Sequence, residues 1–415
     1  MTSPVQHRRR ISQIHLRAAT FAPVIVFALV SVVILTQRSQ AQTLTVLYSF
    51  TGGTDGGSPE AGLIRDASGN LYGTTTFGGD PDADVGVVYA VDPAGKETVL
   101  HTFTGGADGA SSFANLLRDE WGNLYGTTGY GGTAGEGTVF KVTPHGKHTV
   151  LHSFTGKRGD GSLPFAGLIC GRDGNLYGTT MFGGRANNGR KYGTVFKLSK
   201  VGKETILYSF KGAADGAYPT ADLVRDEYGN LYGTTSGGYN TNNGTVFKLD
   251  PKGHETVLYR FTGGADGGFP WAGLLRDAEG NLYGTTQYGG NLACYAPYGC
   301  GTVFKVSPKG KFTVLHSFTG APDGQLPLGG LIRDAKGNLY GTTYIGGTGP
   351  CFNDVSYGCG IVFKVDDSGA ETVLYSFTGG TDGAYPVAGR LVRDKAGNLY
   401  GANGGGQGVV YKLTP

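Results

Sequence analysis

Short runs of apolar residues alternate with polar, glycine-rich turns along the chain from residue 43 onward. In one representative stretch, such runs occupy residues 114–119, 123–128, 137–142 and 149–154, and each is bounded by Gly, Asp, Asn or Pro. Short runs that are rich in β-branched and aromatic residues are typical of β-strands. The pattern therefore predicts a unit of four strands, called a, b, c and d, with tight a–b and c–d turns and a longer d–a loop.

This four-strand unit recurs seven times. The pentapeptide Gly-Asn-Leu-Tyr-Gly marks each copy, and successive copies lie 51 to 60 residues apart. Its positions are 69–73, 122–126, 174–178, 229–233, 280–284, 337–341 and 397–401. Self-similarity at a nearly constant period is the signature of a repeat architecture.

The repeat predicts an all-β fold, a seven-bladed β-propeller of four-stranded antiparallel blades. A β-helix rung would need about half as many residues per repeat. Residue size also favours the propeller, because blades narrow toward the central axis. Strand a carries small residues such as Ala61 and Gly62, whereas strands c and d carry bulkier ones such as Phe140 and Phe154.

The two ends of the repeat region are out of phase by one strand. Residues 43–50 read as a strand d with no a, b or c before it, and residues 408–413 read as a strand c with no d after it. A closed ring explains this offset if the N-terminal strand 43–50 pairs with the C-terminal blade. Such closure removes the sheet edges that an open array would expose.

The unit resembles the GloVer tandem repeat of bacterial exported proteins. The resemblance covers residues 43–415 and rests on the Tyr-Ser-Phe-Thr-Gly-Gly of 48–53, the Leu-Ile-Arg-Asp of 63–66, the Gly-Asn-Leu-Tyr-Gly of 69–73 and the Gly-Thr-Val-Phe of 137–140. It implies β-propeller-like repeats and transfers no catalytic residues. The unit is also similar to NHL-type propeller repeats, which is an analogy of fold rather than of activity.

Residues 1–41 have the layout of a secretory signal peptide. They contain five Arg and no Asp or Glu, an apolar run at 18–35, and the small residues Ser39 and Ala41 before a cleavage point after Ala41. The alternative is an uncleaved membrane anchor, because the 18 apolar residues nearly span a bilayer. We expect cleavage, which leaves residues 42–415 as one propeller domain that is secreted, periplasmic or displayed on the surface of a bacterial cell.

Composition excludes several classes of protein. The 24 Tyr and 21 Phe are too much aromatic surface for a disordered chain, even though 76 residues are Gly. Without residues 1–41 there remain 30 basic and 32 acidic residues. No excess of positive charge is left to bind phosphates, so we expect no nucleic-acid partner. We expect a monomer that meets a membrane only if the N-terminal segment is uncleaved.

Four of the five cysteines form two close pairs in sequence. Cys294 and Cys300 flank one b–c insertion, and Cys351 and Cys359 flank another. Close pairs within extra loops of an exported chain predict two local disulfides, with metal binding by a single pair as the alternative. We expect the remaining Cys170 to be a small buried residue.

One b–c loop carries alternate carboxylates at Asp80, Asp82 and Asp84. Alternate carboxylates in a loop are a common way to hold Ca²⁺, a hard cation that takes oxygen ligands. The alternative is an acidic loop that is merely solvated, and the EF-hand pattern fails because Val85 and Val91 occupy two of its key positions. We expect no other cofactor.

The remaining polar residues of the repeat are expected to be structural. His101, His152 and His316 occupy a strand-d position that is Tyr in the other units. An Asp before Gly recurs in all seven d–a loops, which indicates turn formation rather than seven active sites. In the pairs that end strand a, such as Arg118-Asp119, Asp should cap the next turn and Arg should form a ring of inter-blade ion pairs.

Ligand binding is expected on the face that carries the d–a and b–c loops, because the b–c loops vary while the scaffold repeats. The residue just before strand a also varies, and its seven copies should ring the mouth of the central channel: Glu60, Phe113, Phe165, Thr220, Trp271, Leu328 and Val387. Tyr295 and Tyr298 lie in a neighbouring b–c loop. Exposed aromatic residues beside polar ones suit sugar rings or peptide segments.

These features favour an exported, non-catalytic binding or scaffold propeller whose ligand is an extracellular glycan, a cell-envelope polymer or a protein. The alternative is a propeller hydrolase or lyase that acts on a polysaccharide or a lactone. An enzyme should break the repeat with unique charged groups at the channel mouth. The sequence offers Glu60 and the three aspartates of the acidic loop, which are too few to assign an acid–base pair.

Overall fold

The structure is a computed structural model that describes residues 42–157, 159–185, 191–212, 214–237, 243–349, 351, 358–387 and 389–415. The predicted signal peptide, residues 1–41, lies outside the described residues. Within the described ranges, no helix is long and apolar enough to cross a membrane.

Strands alternate with turns and loops throughout the described residues. The thirty strands are β1 (Thr43–Ser49), β2 (Ile64–Arg65), β3 (Leu71–Thr74), β4 (Val87–Val91), β5 (Glu97–Thr102), β6 (Leu117–Arg118), β7 (Leu124–Thr128), β8 (Thr138–Val142), β9 (His148–Ser153), β10 (Gly161–Ser162), β11 (Ile169–Cys170), β12 (Leu176–Thr180), β13 (Phe182–Gly183), β14 (Thr194–Leu198), β15 (Glu204–Ser209), β16 (Val224–Arg225), β17 (Leu231–Thr235), β18 (Thr245–Leu249), β19 (Glu255–Arg260), β20 (Leu275–Arg276), β21 (Leu282–Thr286), β22 (Thr302–Val306), β23 (Phe312–Ser317), β24 (Ile332–Arg333), β25 (Leu339–Thr343), β26 (Ile361–Val365), β27 (Glu371–Ser376), β28 (Val392–Arg393), β29 (Leu399–Asn403) and β30 (Val409–Thr414).

Seven antiparallel sheets of four strands form the blades of a β-propeller. In blade two the order is β6-β7-β8-β9, so strands a to d are neighbours in chain order, and blades one and three to six repeat this arrangement. A two-stranded ladder of β10 and β13 is added beside blade three. The sequence-based prediction of the fold is confirmed.

The first strand closes the ring. β1 pairs antiparallel with β30, with Leu44 opposite Leu413 and Val46 opposite Tyr411. Blade seven therefore has the order β1-β30-β29-β28 and takes its outermost strand from the start of the domain. This pairing confirms the closure that the phase of the repeat predicted.

The core of the protein lies between neighbouring blades. Phe103 follows strand d of blade one and packs edge-to-face on Phe140 of blade two, with ring centroids 5.3 Å apart and both side chains fully buried. Aromatic pairs prefer this geometry, because the positive edge of one ring meets the negative face of the other. The equivalent pairs are Phe50–Tyr89, Phe154–Phe196, Phe210–Phe247, Phe261–Phe304, Phe318–Phe363 and Phe377–Tyr411.

The last Gly of the repeated pentapeptide is required by this aromatic core. Gly126 on strand b lies directly opposite Phe140 on strand c. A Cβ atom at Gly126 would lie 2.5 Å from the Phe140 ring, far inside van der Waals contact. The neighbouring Leu124 and Val142 are buried as well, so the ring has no room to move away.

The Asp that ends strand a caps the a–b turn, as predicted. Asp119 accepts hydrogen bonds from the backbone N–H of Asn123 at 2.7 Å, from its side-chain amide at 2.7 Å and from the Tyr125 hydroxyl at 3.1 Å. A single carboxylate therefore holds the turn and the start of strand b. Equivalent contacts recur at Asp66 and Asp226.

The strand-a Arg residues make cation–π contacts with the preceding blade, and one of the expected inter-blade ion pairs is also present, between Arg276 and Glu227 at 3.6 Å. Arg118 lies over the Tyr72 ring of the preceding blade at 5.7 Å, and Arg65 lies over Tyr400 at 5.4 Å, across the closure of the ring. The carboxylate beside each Arg is already engaged by its own turn. Blade three has Cys170 at the Arg position, and this cysteine is exposed rather than buried, because the last residue of strand a faces outward.

Candidate ligand-binding cavity

The seven variable residues before strand a line a single cavity. They are Glu60, Phe113, Phe165, Thr220, Trp271, Leu328 and Val387. The cavity has a volume of about 560 Å³, which is in the usual range for small-ligand sites. It opens on the face of the d–a and b–c loops. The predicted placement around the channel mouth is therefore observed, while binding itself stays a prediction.

Blades two and three supply an aromatic wall. The rings of Phe113 and Phe165 meet edge-to-face with centroids 5.0 Å apart. Tyr130 lies 6.1 Å from Phe165 and 6.5 Å from Phe113, and 45% of its surface is exposed. Phe182 also lines the cavity, and Trp271 extends the lining on blade five. This side of the cavity can pack against the apolar face of a ligand.

Three polar residues that the sequence analysis missed also line the cavity: Asn115, Asp222 and Arg390. Each stands directly before the buried Leu of strand a, a position that is Gly in the other four blades. The breaks in this glycine column were visible in the sequence. They follow the variable position by two residues in blades two and four and by three residues in blade seven.

Asn115 and Asp222 tie four blades together near the axis. The Asn115 carbonyl Oδ1 accepts from the backbone N–H of Gly62 at 2.7 Å, and its amide Nδ2 donates to Asp222 Oδ2 at 2.6 Å. Asp222 Oδ1 accepts from the backbone N–H of Gly167 at 2.6 Å. A Cβ at Gly62 would lie 2.4 Å from Asn115 Oδ1, so the glycine makes this approach possible.

Arg390 and Glu60 bring the remaining charges into the cavity. Arg390 Nη2 donates to the carbonyl oxygen of Leu274 at 3.2 Å, whereas its Nε is buried without a hydrogen-bond partner. Burial raises the pKa of Glu60, and a 3.3 Å hydrogen bond from Ser58 offsets part of that effect. Because both oxygens of Asp222 are already engaged, Glu60 is the carboxyl group that remains available to a ligand.

Tyr295 and Tyr298 are not among the residues that line this cavity. They lie on the b–c loop of blade five, are 44% and 55% exposed, and pack on each other with ring centroids 5.9 Å apart. The Cys294–Cys300 disulfide closes this loop. The second predicted disulfide, Cys351–Cys359, is also formed, so both predicted pairings are confirmed.

The acidic loop uses its carboxylates internally. Asp84 Oδ1 accepts from the backbone N–H of Gly78 at 2.6 Å, and Asp80 Oδ1 accepts from that of Asp82 at 2.8 Å. Among the described residues, the one close group of three metal-type ligands lies elsewhere, between blades two and three. Calcium binding by the acidic loop stays a prediction.

The Asp of each d–a loop lies close to a strand-d side chain, which is Tyr in some blades and His in others. The Tyr48 hydroxyl donates to Asp55 at 2.9 Å, and His316 Nε2 lies 3.0 Å from Asp323 Oδ1 in the equivalent place. Asp55 also accepts from the backbone N–H of Thr51 at 2.8 Å. These contacts agree with the predicted structural roles of the histidines and the loop aspartates.

Comparison with known proteins agrees with the repeat and the fold. The Gloeobacter/Verrucomicrobia repeat model matches residues 32–192 and 189–414. No curated protein matches the chain.

Solved structures are similar to this chain at low sequence identity. The extracellular domain of a proposed hybrid two component system from B. thetaiotaomicron is 11% identical, with a TM-score of 0.55 over 90% of this chain and 41% of that one. The extracellular domain of a proposed one component system from the same organism is 11% identical, with a TM-score of 0.54 over 90% and 40%. A gluconolactonase from Xanthomonas campestris is 14% identical, with a TM-score of 0.43 over 90% and 89%. This chain thus spans about two fifths of the two extracellular domains.

Proposed function

We propose that this chain, which belongs to the Gloeobacter/Verrucomicrobia repeat family, is an exported binding protein that holds a short saccharide in its central cavity. The observation that carries the proposal is the convergence of the non-repeated residues. All seven variable residues before strand a, and all three residues that break the glycine column, line the same cavity. Positions that vary on a repeated scaffold are free to specialise for a ligand.

The chemistry of the lining suits a ligand with one apolar and one polar face. A pyranose ring offers C–H groups on its face and hydroxyl groups at its edge. The aromatic wall around Phe113 and Phe165 can pack against the face. Gln287 and Arg390 line the same cavity and can hydrogen-bond to hydroxyl groups.

The arrangement of carboxyl groups favours binding over hydrolysis. Glycoside hydrolysis uses a pair of carboxyl groups on either side of the scissile bond. Here Asp222 is held by Asn115 and Gly167, so Glu60 has no second free carboxyl group among the described lining residues. Two disulfides and the signal-like residues 1–41 support an exported location.

The two tryptophans give a direct binding assay. Trp271 lines the cavity, whereas Trp121 is 73% exposed in an a–b turn, at the opposite end of the blades. The variant Trp121→Phe therefore leaves Trp271 as the reporter. We expect titration with mono- to trisaccharides and soluble peptidoglycan fragments to change its emission saturably for at least one class of ligand.

The matched control is Trp271→Phe, which keeps only the distant Trp121 and should show no ligand-dependent emission. Phe165→Ala should weaken the response in the Trp121→Phe background, because it removes part of the aromatic wall. A panel that gives neither an emission change nor heat of binding would contradict the proposal. If the protein turns over any member of the panel and Glu60→Gln abolishes that turnover, the protein is a hydrolase or lyase and the binding proposal is wrong.

A further inference from the structure

Three metal-type ligands converge at the outer junction of blades two and three. His152 lies on β9, Asp160 lies in the d–a loop that follows, and Glu204 begins β15 of the next blade. One ligand atom from each residue lies within 4.8 Å of the others. We propose that these three side chains bind a divalent transition-metal ion of the zinc class, which cross-links the two blades.

The distances fit coordination better than hydrogen bonding. His152 Nε2 lies 3.6 Å from Asp160 Oδ1 and 3.9 Å from Glu204 Oε2. Both separations are too long for hydrogen bonds. In a tetrahedral zinc site with bonds of about 2.0–2.2 Å, the ligand atoms lie about 3.4 Å apart. Small side-chain adjustments would bring the three atoms to that spacing.

Each of the three residues has a buried polar atom without a hydrogen-bond partner. These atoms are His152 Nε2, Asp160 Oδ1 and Glu204 Oε1, the last on the same carboxylate as the oxygen that lies 3.9 Å from His152. Buried polar atoms are costly when unpaired, so three of them at one junction favour a missing partner. Asp160 Oδ2 is engaged by the backbone N–H of Thr155 at 2.7 Å and by its hydroxyl at 2.6 Å, which leaves Oδ1 for a metal.

A one-residue difference in loop length creates the gap. In six blades the Tyr or His of strand d precedes its Asp by seven residues. With this spacing the two side chains can meet directly, as when the Tyr208 hydroxyl donates to Asp215 at 2.8 Å. His152 precedes Asp160 by eight residues. The longer loop holds the carboxylate away from the imidazole, so an ion can fit between them.

An imidazole and two carboxylates are ligand types that zinc takes. A groove adjoins the three side chains and gives them access to solvent. Exposed Lys157, Arg185 and Lys211 line the adjoining groove, where solvent screens their charges. The groove also lets water complete the coordination, as in zinc sites with three protein ligands.

Zinc titration of the full, disulfide-bonded chain tests the proposal. After treatment with chelator, isothermal titration with ZnCl₂ should show a saturable site, and zinc should raise the melting temperature. His152→Tyr recreates the Tyr-Asp-Glu set of the next junction, Tyr208, Asp215 and Glu255, and should fold normally. We expect it to bind zinc at least about tenfold more weakly.

His316→Tyr is the matched control, because it makes the same exchange at a junction where the imidazole already reaches its Asp. It should leave zinc binding unchanged. Glu204→Gln provides a second variant of nearly the same size, so the test does not depend on the folding of His152→Tyr. No zinc binding by the unmodified chain at about 100 µM metal, or equal binding by His152→Tyr and Glu204→Gln, would overturn the proposal.

Discussion

Asn115 donates its side-chain amide to Asp222 at 2.6 Å and so links blade two to blade four near the central axis. Blade three joins the same carboxylate through the backbone N–H of Gly167. A propeller that repeats one unit has identical groups around its axis. Here three polar side chains replace glycine, so that the ring is tied internally and the ligand cavity acquires polar lining. The residues that break the repeat therefore serve both stability and the candidate site.

Asp222→Asn should destabilise the protein by about 1–3 kcal/mol. The two carboxylate oxygens of Asp222 each accept one hydrogen bond, whereas an amide has only one oxygen that can accept. One of the donors, Asn115 Nδ2 or the Gly167 N–H, would then face an N–H group. Urea unfolding followed by circular dichroism measures the change. The exposed Asp82→Asn is the control and should change the free energy of unfolding by less than about 0.5 kcal/mol. Equal losses in the two variants would refute a structural role for the network.

The sequence predicted the ring but not the contacts across it. The pentapeptide and the phase of the two ends determine the number of blades and the closure. The hydrogen bond between Asn115 and Asp222 depends on which side chains meet near the axis. No local sequence pattern predicts such a contact. The position of Arg390 was harder to predict, because blade seven has one additional residue before Leu391. The glycine that precedes this Leu directly in four other blades is therefore displaced by one residue.

Removal of residues 43–49 should destabilise the whole propeller. The truncated chain would lose β1, expose the backbone edge of β30 and open the ring between blades seven and one. We expect a loss of at least about 5 kcal/mol, above the usual range for single substitutions. Thermal unfolding of the truncated and intact chains measures it.

A synthetic peptide of residues 42–51 supplies the control for this truncation. If strand pairing is responsible, the peptide should raise the melting temperature of the truncated chain in a concentration-dependent way. A truncated chain that melts like the intact protein would contradict ring closure through β1.

Side-chain partners between blades were only partly predictable. A Phe follows strand d in every unit, but its packing on the strand-c aromatic of the next blade depends on the angle between blades. The Arg of strand a was expected to form ion pairs between blades, and Arg276 does so with Glu227 at 3.6 Å. Asp66 already accepts from Asn70 and Tyr72, so Arg118 of the next blade stacks on the Tyr72 ring instead.

Gly126→Ala tests why the pentapeptide ends in glycine. The added methyl group would lie 2.5 Å from the Phe140 ring and force the buried core apart. Overpacking of this kind costs about 1–3 kcal/mol. Gly106→Ala is the control, since its Cβ would meet the nearest atom, Thr104 Oγ1, only at 3.5 Å on an exposed loop. Chemical unfolding should show a loss for Gly126→Ala and none for Gly106→Ala; equal stability would contradict the steric explanation.

Glu255 should make the free energy of unfolding depend on pH at the junction of blades three and four. Burial, with a smaller contribution from Asp215, raises its pKa from 4.5 in the unfolded chain to about 7 in the folded protein. Between these values the folded state holds a proton that the unfolded state has released. The free energy of unfolding therefore falls as pH rises through this window, and the full penalty applies above about pH 7.

Glu255→Gln removes this titration and should stabilise the protein at about pH 8 by on the order of 1 kcal/mol, after allowance for solvent screening. At about pH 4 both states of the unmodified chain hold the proton, so the difference between the two chains should nearly vanish. The exposed Glu120→Gln serves as the control and should show no such pH dependence. Urea unfolding at several pH values measures all three chains. A stability difference for Glu255→Gln that stays constant from pH 4 to pH 8 would show that burial of the carboxylate is not its cause.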